Sequence, residues 1–167
     1  MNNFKKVALA SLVLAAIGTA QAADPQATVV WTGSIPSVQP GDTILITGLG
    51  GDLTAQSGAL TPAADGTFTS ETIVLESRLN AGSAETPEVG ALQNANWQIA
   101  SSTLTYGGVT NNAATLEVSI DGVVVTDDAA AAADANSIRL SVAQNSPLTD
   151  VGGDSVQAAV TVLASSM

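Results

Sequence analysis

Along this chain the apolar positions fall in short, β-branched runs separated by Gly, Pro, Asn and Asp, and helical periodicity is hard to find. Such a pattern predicts strands, because side chains alternate between the two faces of a strand but repeat every ~3.6 residues on a helix. At least six strands are expected. The runs are Ala27 to Ile35, Thr43 to Thr47, Thr67 to Ser77, Trp97 to Thr105, Thr115 to Ile120, Ser137 to Ala143 and Ser155 to Leu163. Ile73-Val74-Leu75 is apolar on both faces, as a strand covered on both sides would be. Ser137 to Ala143 turns Ile138, Leu140 and Val142 inward and Arg139 and Ser141 outward. Asp121-Gly122 leads straight into Val123-Val124-Val125, the strongest short hairpin signal in the chain, since Asp and Gly tolerate the positive φ of a type I′ turn.

Between the runs lie breakers: Pro40-Gly41-Asp42, Gly48-Leu49-Gly50-Gly51-Asp52, Ala81 to Gly90, and Asn111-Asn112. They read as surface loops. Asp127 to Ala135 is alanine-rich and opens with two aspartates able to cap a turn or two of helix, so a short surface helix and a low-complexity loop are equally compatible with it. No repeat suggests a solenoid. Strands at this spacing without intervening long helices point to an all-β, two-sheet sandwich of immunoglobulin-like kind.

The first residues add export to this picture. Lys5 and Lys6 precede an apolar run from Val7 to Gly18 and the small-residue stretch Ala20-Gln21-Ala22, the order of a cleaved signal peptide over residues 1–22. The run is twelve residues, whereas a membrane-spanning helix needs about 20. Cleavage after Ala22 would leave 145 of the 167 residues, enough for one domain with a real core.

Composition then removes several functions. Both lysines belong to the leader, so Arg78 and Arg139 stand alone against fifteen acids, a mature balance of −13. Phosphate backbones and anionic membranes would repel such a chain, so nucleic acid is not an expected partner. There is no cysteine, although export leads where disulfides can form, and stability must come from packing and strand pairing. Histidine is absent too, which removes the usual general base and the commonest metal ligand. The expectation is a protein that is not an enzyme and carries no cofactor or metal.

Individual residue groups do not change that view. Gly48-Leu49-Gly50-Gly51 lacks the Lys-Ser or Lys-Thr pair of a phosphate loop and reads as a flexible loop. Asp127, Asp128 and Asp134, or Asp150 and Asp154, offer oxygen atoms to calcium, but neither spacing matches the twelve-residue loop closed by a glutamate. Glu85 and Glu88 sit in a Pro/Gly-rich loop without the aromatic cleft a glycosidase would need, aromatics being 3% of the chain. Trp31 and Trp97 read as core or groove anchors.

The strand behind the cleavage site has two readings. Ala27, Val29, Trp31, Gly33 and Ile35 share one face, and Thr28, Val30, Thr32 and Ser34 the other. It can be the first strand of its own sandwich, or an extension that completes another molecule's fold by strand addition, where main-chain bonds give affinity and alternate side chains give register. In the second case Trp31 is the large anchor, and Gly33 marks a shallow place in the groove.

Three segments carry a resemblance to a known family. The opening Val30-Trp31-Thr32-Gly33-Ser34-Ile35-Pro36-Ser37, the block Thr115-Leu116-Glu117-Val118-Ser119-Ile120-Asp121-Gly122 followed by valines, and the closing Val156 to Leu163 strand resemble major pilins of the coli-surface-antigen type five colonisation fimbriae. That resemblance implies an incomplete, pilin-type sandwich over residues 37–167 and an N-terminal donor-strand extension over residues 23–36. It further implies a periplasmic chaperone that lends a strand, an outer-membrane usher, identical subunits joined by donor-strand exchange into an adhesive fimbria on the bacterial surface, and scope for a host-surface receptor. The donor residues would be Ala27, Val29, Trp31, Gly33 and Ile35, and Val156, Ala158, Val160 and Val162 would line the acceptor groove. The chain departs from commoner pilus types in having Ser166 where many carry a penultimate aromatic, and in lacking a disulfide. The alternative expectation is a monomeric secreted β-sandwich that binds carbohydrate or calcium. Residues 24 to 36 separate the two, since a pilin must pair them between chains.

Overall fold

The computed structural model describes residues 29–32, 43–83, 85–126 and 130–166. Among these residues there is no helix, and thirteen strands form two antiparallel sheets. In chain order the strands are β1 (Val29–Thr32), β2 (Ile44–Gly48), β3 (Ser57–Pro62), β4 (Phe68–Ser70), β5 (Ile73–Asn80), β6 (Val89–Leu92), β7 (Ala95–Tyr106), β8 (Val109–Thr110), β9 (Glu117–Ile120), β10 (Val123–Val125), β11 (Ala130–Ala135), β12 (Ser137–Gln144) and β13 (Val156–Ser166).

The larger sheet centres on β12 and β5. β12 pairs with β9 on one side and with β5 and then β4 on the other, while β2 flanks β5 and β10 extends β9. β6 adds to the far end of β5, and β3 and β1 follow β4 outward. The smaller sheet is β11-β7-β13, with β8 folded back on β7. Facing side chains of the two sheets form one core, from Leu75, Ile138 and Leu140 of the large sheet to Trp97, Ile99 and Leu104 of the small one. The all-β class and two-layer architecture expected from the pattern are therefore present.

Alternation decides most of these elements. In β12 Ile138, Leu140 and Val142 are buried while Arg139 is exposed. At the hairpin Asp121 and Gly122 adopt φ of 51° and 82°, both in the left-handed region that a type I′ turn requires. Trp97 is buried, and its indole Nε1 donates to the Ala135 carbonyl at 2.8 Å.

Two expectations are corrected. The run Thr67 to Ser77 is not one strand but two, interrupted at Glu71-Thr72. There the chain keeps β12 as one neighbour and exchanges β3 for β2 as the other, and the Ser70 hydroxyl bridges the switch by accepting from the Val142 amide at 2.8 Å and donating to the Glu71 carbonyl at 2.8 Å. The alanine-rich segment is neither helix nor loop over its described part: Ala130–Ala135 is β11, paired irregularly along β7. Alanine's helical preference is weak beside the bonds offered by an otherwise open sheet edge.

Candidate functional site: the lateral edge of the C-terminal strand

β13 is the element on which the resemblance places an acceptor groove, and its construction follows from its sequence. Eleven residues alternate so that Val156, Ala158, Val160 and Val162 all face the core, each less than a tenth exposed. One edge is hydrogen-bonded to β7 along its whole length, from Val156 opposite Tyr106 to Ser166 opposite Ala95, with a register shift between Thr161 and Val162. Among the described residues the other edge carries no strand ladder.

On that side the two sheets do not close on each other. β2 ends the large sheet with β5 as its partner, and Cα atoms of β2 and of β1 come within 8 Å of Cα atoms of β13. β1 is thus paired with β3 and comes close to β13. Its register sets Val29 opposite Leu60, Val30 opposite Ala59, Trp31 opposite Gly58 and Thr32 opposite Ser57. Leu60, the partner of Val29, is buried in the core. The position opposite Trp31 is a glycine, which leaves that cross-strand site without a competing side chain.

Of the proposed donor residues, only Val29 and Trp31 fall in β1; Ala27, Gly33 and Ile35 lie outside the described residues, as do the leader and the boundary near residue 36. The structure therefore brings part of the N-terminal strand close to β13 within one chain. β3, the strand that receives β1, has no sequence signal of its own: Ser57-Gly58-Ala59-Leu60-Thr61-Pro62 holds one large apolar residue and no Val or Ile. β6, β8 and β11 were likewise unmarked.

The residue groups weighed for other chemistry are placed as follows. Gly48 to Asp52 forms a tight turn whose Gly50 and Gly51 amides point at the Glu76 carboxylate, at 3.0 and 3.2 Å, so the chain's own anion occupies that nest. Glu85 and Glu88 are exposed in their loop, and Asp134, Asp150 and Asp154 are exposed as well. Asp134 accepts from Asn94 Nδ2 at 2.7 Å. Asp127 and Asp128 lie outside the described residues. Among the described residues no three carboxylates gather in a way that could hold a metal ion.

Shallow hollows indent the described surface. One of about 260 Å³ is lined by Thr61, Thr67, Phe68, Gln144 and their neighbours. A second, of about 60 Å³, sits at the end of the sandwich beneath Tyr106 and Val156. A third, of about 220 Å³, lies on the outer face of the large sheet between Thr72, Asp121, Gly122, Arg139 and Ser141.

Comparison of the chain with family models, with curated protein sequences and with solved structures found no match.

Proposed function

We propose that this chain is the repeating structural subunit of a surface fimbria, an immunoglobulin-like sandwich of the incomplete, pilin type joined to its neighbours by strand addition. One observation carries the reading: a C-terminal strand of eleven residues, with its apolar row in the core, is paired on one edge only among the described residues. A long free edge with a core behind it invites another strand, since main-chain groups along the edge remain to be satisfied and the side-chain row offers register. The occupant in the assembled fimbria is the N-terminal strand of the next subunit, with Ala27, Val29, Trp31, Gly33 and Ile35 toward the groove and Val156, Ala158, Val160 and Val162 receiving them.

Export under the leader at residues 1–22, protection of the free edge by a periplasmic chaperone and polymerisation at an outer-membrane usher follow from the same reading. The absence of histidine and cysteine and the acidic charge fit a shaft component better than a hydrolase or a nucleic-acid binder.

A monomeric secreted binding module is the second reading, and one observation favours it: β1 pairs with β3 of its own chain. The test compares residues 23–167 with residues 37–167, each co-expressed with a chaperone of the same export system. Heat-resistant oligomer ladders from the longer form and a one-to-one chaperone complex from the shorter form are the expected result. Stable, chaperone-free monomers from both would overturn the subunit reading in favour of the binding module.

A further inference from the structure

The mature chain has two cations, and they live in different circumstances. Arg78 is committed: its Nε and Nη2 both stand 2.8 Å from Glu76 Oε2, and its Nη1 donates to the Gly90 carbonyl at 3.2 Å. Arg139 is exposed, and its guanidinium enters no ion pair among the described residues. Asp121, which lines the same hollow, uses its Oδ1 to accept from the Arg139 backbone amide at 3.0 Å. The Asp121 amide in turn donates to the Arg139 carbonyl at 2.8 Å, so the hairpin is clamped to β12 and the wall of the hollow is set before anything enters it. Thr72 and Ser141 supply hydroxyls on the other side.

Beside this hollow the surface turns apolar. Val124 pairs with Ser119, and Ser119 with Ser141, so all three share the outward face that carries Arg139. Val124 is 58% exposed there, on a strand whose outer edge carries no ladder among the described residues; Val123, opposite the buried Ile120, belongs to the other face. A guanidinium that enters no ion pair among the described residues, on the same face as an exposed valine of an edge strand, is the composition of a protein contact rather than of a solvated face.

Charge selects the occupant. A second copy of this chain presents fifteen acids, while Arg139 is the one cation not already paired among the described residues, so like chains that assemble side by side have this site for a favourable charge contact. We infer that the hollow at Arg139, with Val124 on the same face, is a lateral contact for a second copy of the chain, which seats an Asp or Glu carboxylate on the guanidinium. The inference rests on the subunit reading and adds to it a contact independent of strand addition.

The absence of lysine after residue 6 makes the test selective. Arg139→Lys in the chain from residue 23 places the only side-chain amine of the mature protein at this position, where a water-soluble carbodiimide can join it to a touching carboxylate as an amide. Assembled Arg139→Lys filaments should yield an amide from position 139 to an acid of another copy, located by peptide mapping, and wild-type filaments should yield none at that position. Arg139→Glu filaments should be several-fold shorter than wild type at equal protein concentration. Coupling confined to the same chain, coupling only to the chaperone, or none at all in filaments that do form would overturn the lateral contact and leave the subunit reading standing. Wild-type protein that forms no filaments would overturn both.

Discussion

Glu76 and Arg78 stand two residues apart on the same face of β5, and a single oxygen, Glu76 Oε2, takes Arg78 Nε and Nη2 at 2.8 Å each together with the amides of Gly50 and Gly51. The pair thereby ties the β2–β3 turn to the middle of the large sheet. Burial pushes the Glu76 carboxyl up, but the Arg78 hydrogen bond, the two glycine amides and the Arg78 charge outweigh it and hold the group below its ordinary value of 4.5. A carboxyl depressed in the folded state stabilises fully above its unfolded value, and that contribution fades as pH falls through the folded value. Glu76→Gln should cost about 1–3 kcal/mol at neutral pH in urea unfolding, from weakened bonds to Arg78 and the turn. It should also flatten the loss of stability below pH 4.5; an acid limb identical to wild type would show that Glu76 contributes no linkage.

Tyr106 ends β7 with its hydroxyl donating to the Gly66 carbonyl at 2.6 Å, which fastens the β3–β4 hairpin over the end of the core. Tyr106→Phe should destabilise the protein by about 1–3 kcal/mol, because the carbonyl loses a buried partner. Burial, with the nearby Asp65 charge, raises the phenol above 10.0. Stability from this group is therefore complete below pH 10.0 and lost as pH rises through the folded value, and the phenylalanine variant should lose that alkaline dependence.

Ser77 presents the opposite case. It is fully buried on the core face of β5, and its Oγ has no hydrogen-bond partner. Ser77→Ala removes an unsatisfied hydroxyl with little change of volume, so it should leave stability unchanged or raise it by about 1 kcal/mol. A loss of stability in a denaturant titration would mean that the hydroxyl has a role the static arrangement does not reveal.

Gly122 at φ 82° is the second corner of the β9–β10 turn. Gly122→Val should cost about 1–2 kcal/mol, the penalty of forcing a side chain into the left-handed region, even though no atom stands within 4 Å of where its Cβ would sit. Asp121→Asn should be nearly neutral, since the amide oxygen can still accept from the Arg139 backbone. Paired thermal melts of the two variants check both expectations.

Strands whose alternation is made of large apolar residues were legible before any coordinates. β12, with Ile138, Leu140 and Val142, and β13, with Val156, Val160 and Val162, are of this kind, because burial of each row depends only on a period of two. The β9–β10 hairpin was legible for a different reason, as Asp-Gly restricts the backbone locally to the one tight turn that suits strand twist. Of the candidate site, the core-facing row of β13 could be read in this way. That its opposite edge is left without a ladder among the described residues could not.

What the amino-acid order determined by itself is therefore the class: strands and no extended helical pattern, a large excess of acids over cations, and neither histidine nor cysteine. Tertiary structure decided the partners. β3 and β11 exist because edges of β4 and β7 offer unpaired main-chain groups to segments with little strand preference. The break at Glu71-Thr72 exists because the chain exchanges β3 for β2 there, and among the described residues Arg139 enters no ion pair while Arg78 is bound, since Arg78 folds beside a buried carboxylate. Each of these is a contact between residues far apart in the chain. Propensity and periodicity act over a few neighbouring positions, so the choice among edges was left to the competition of whole sheets for their last hydrogen bonds.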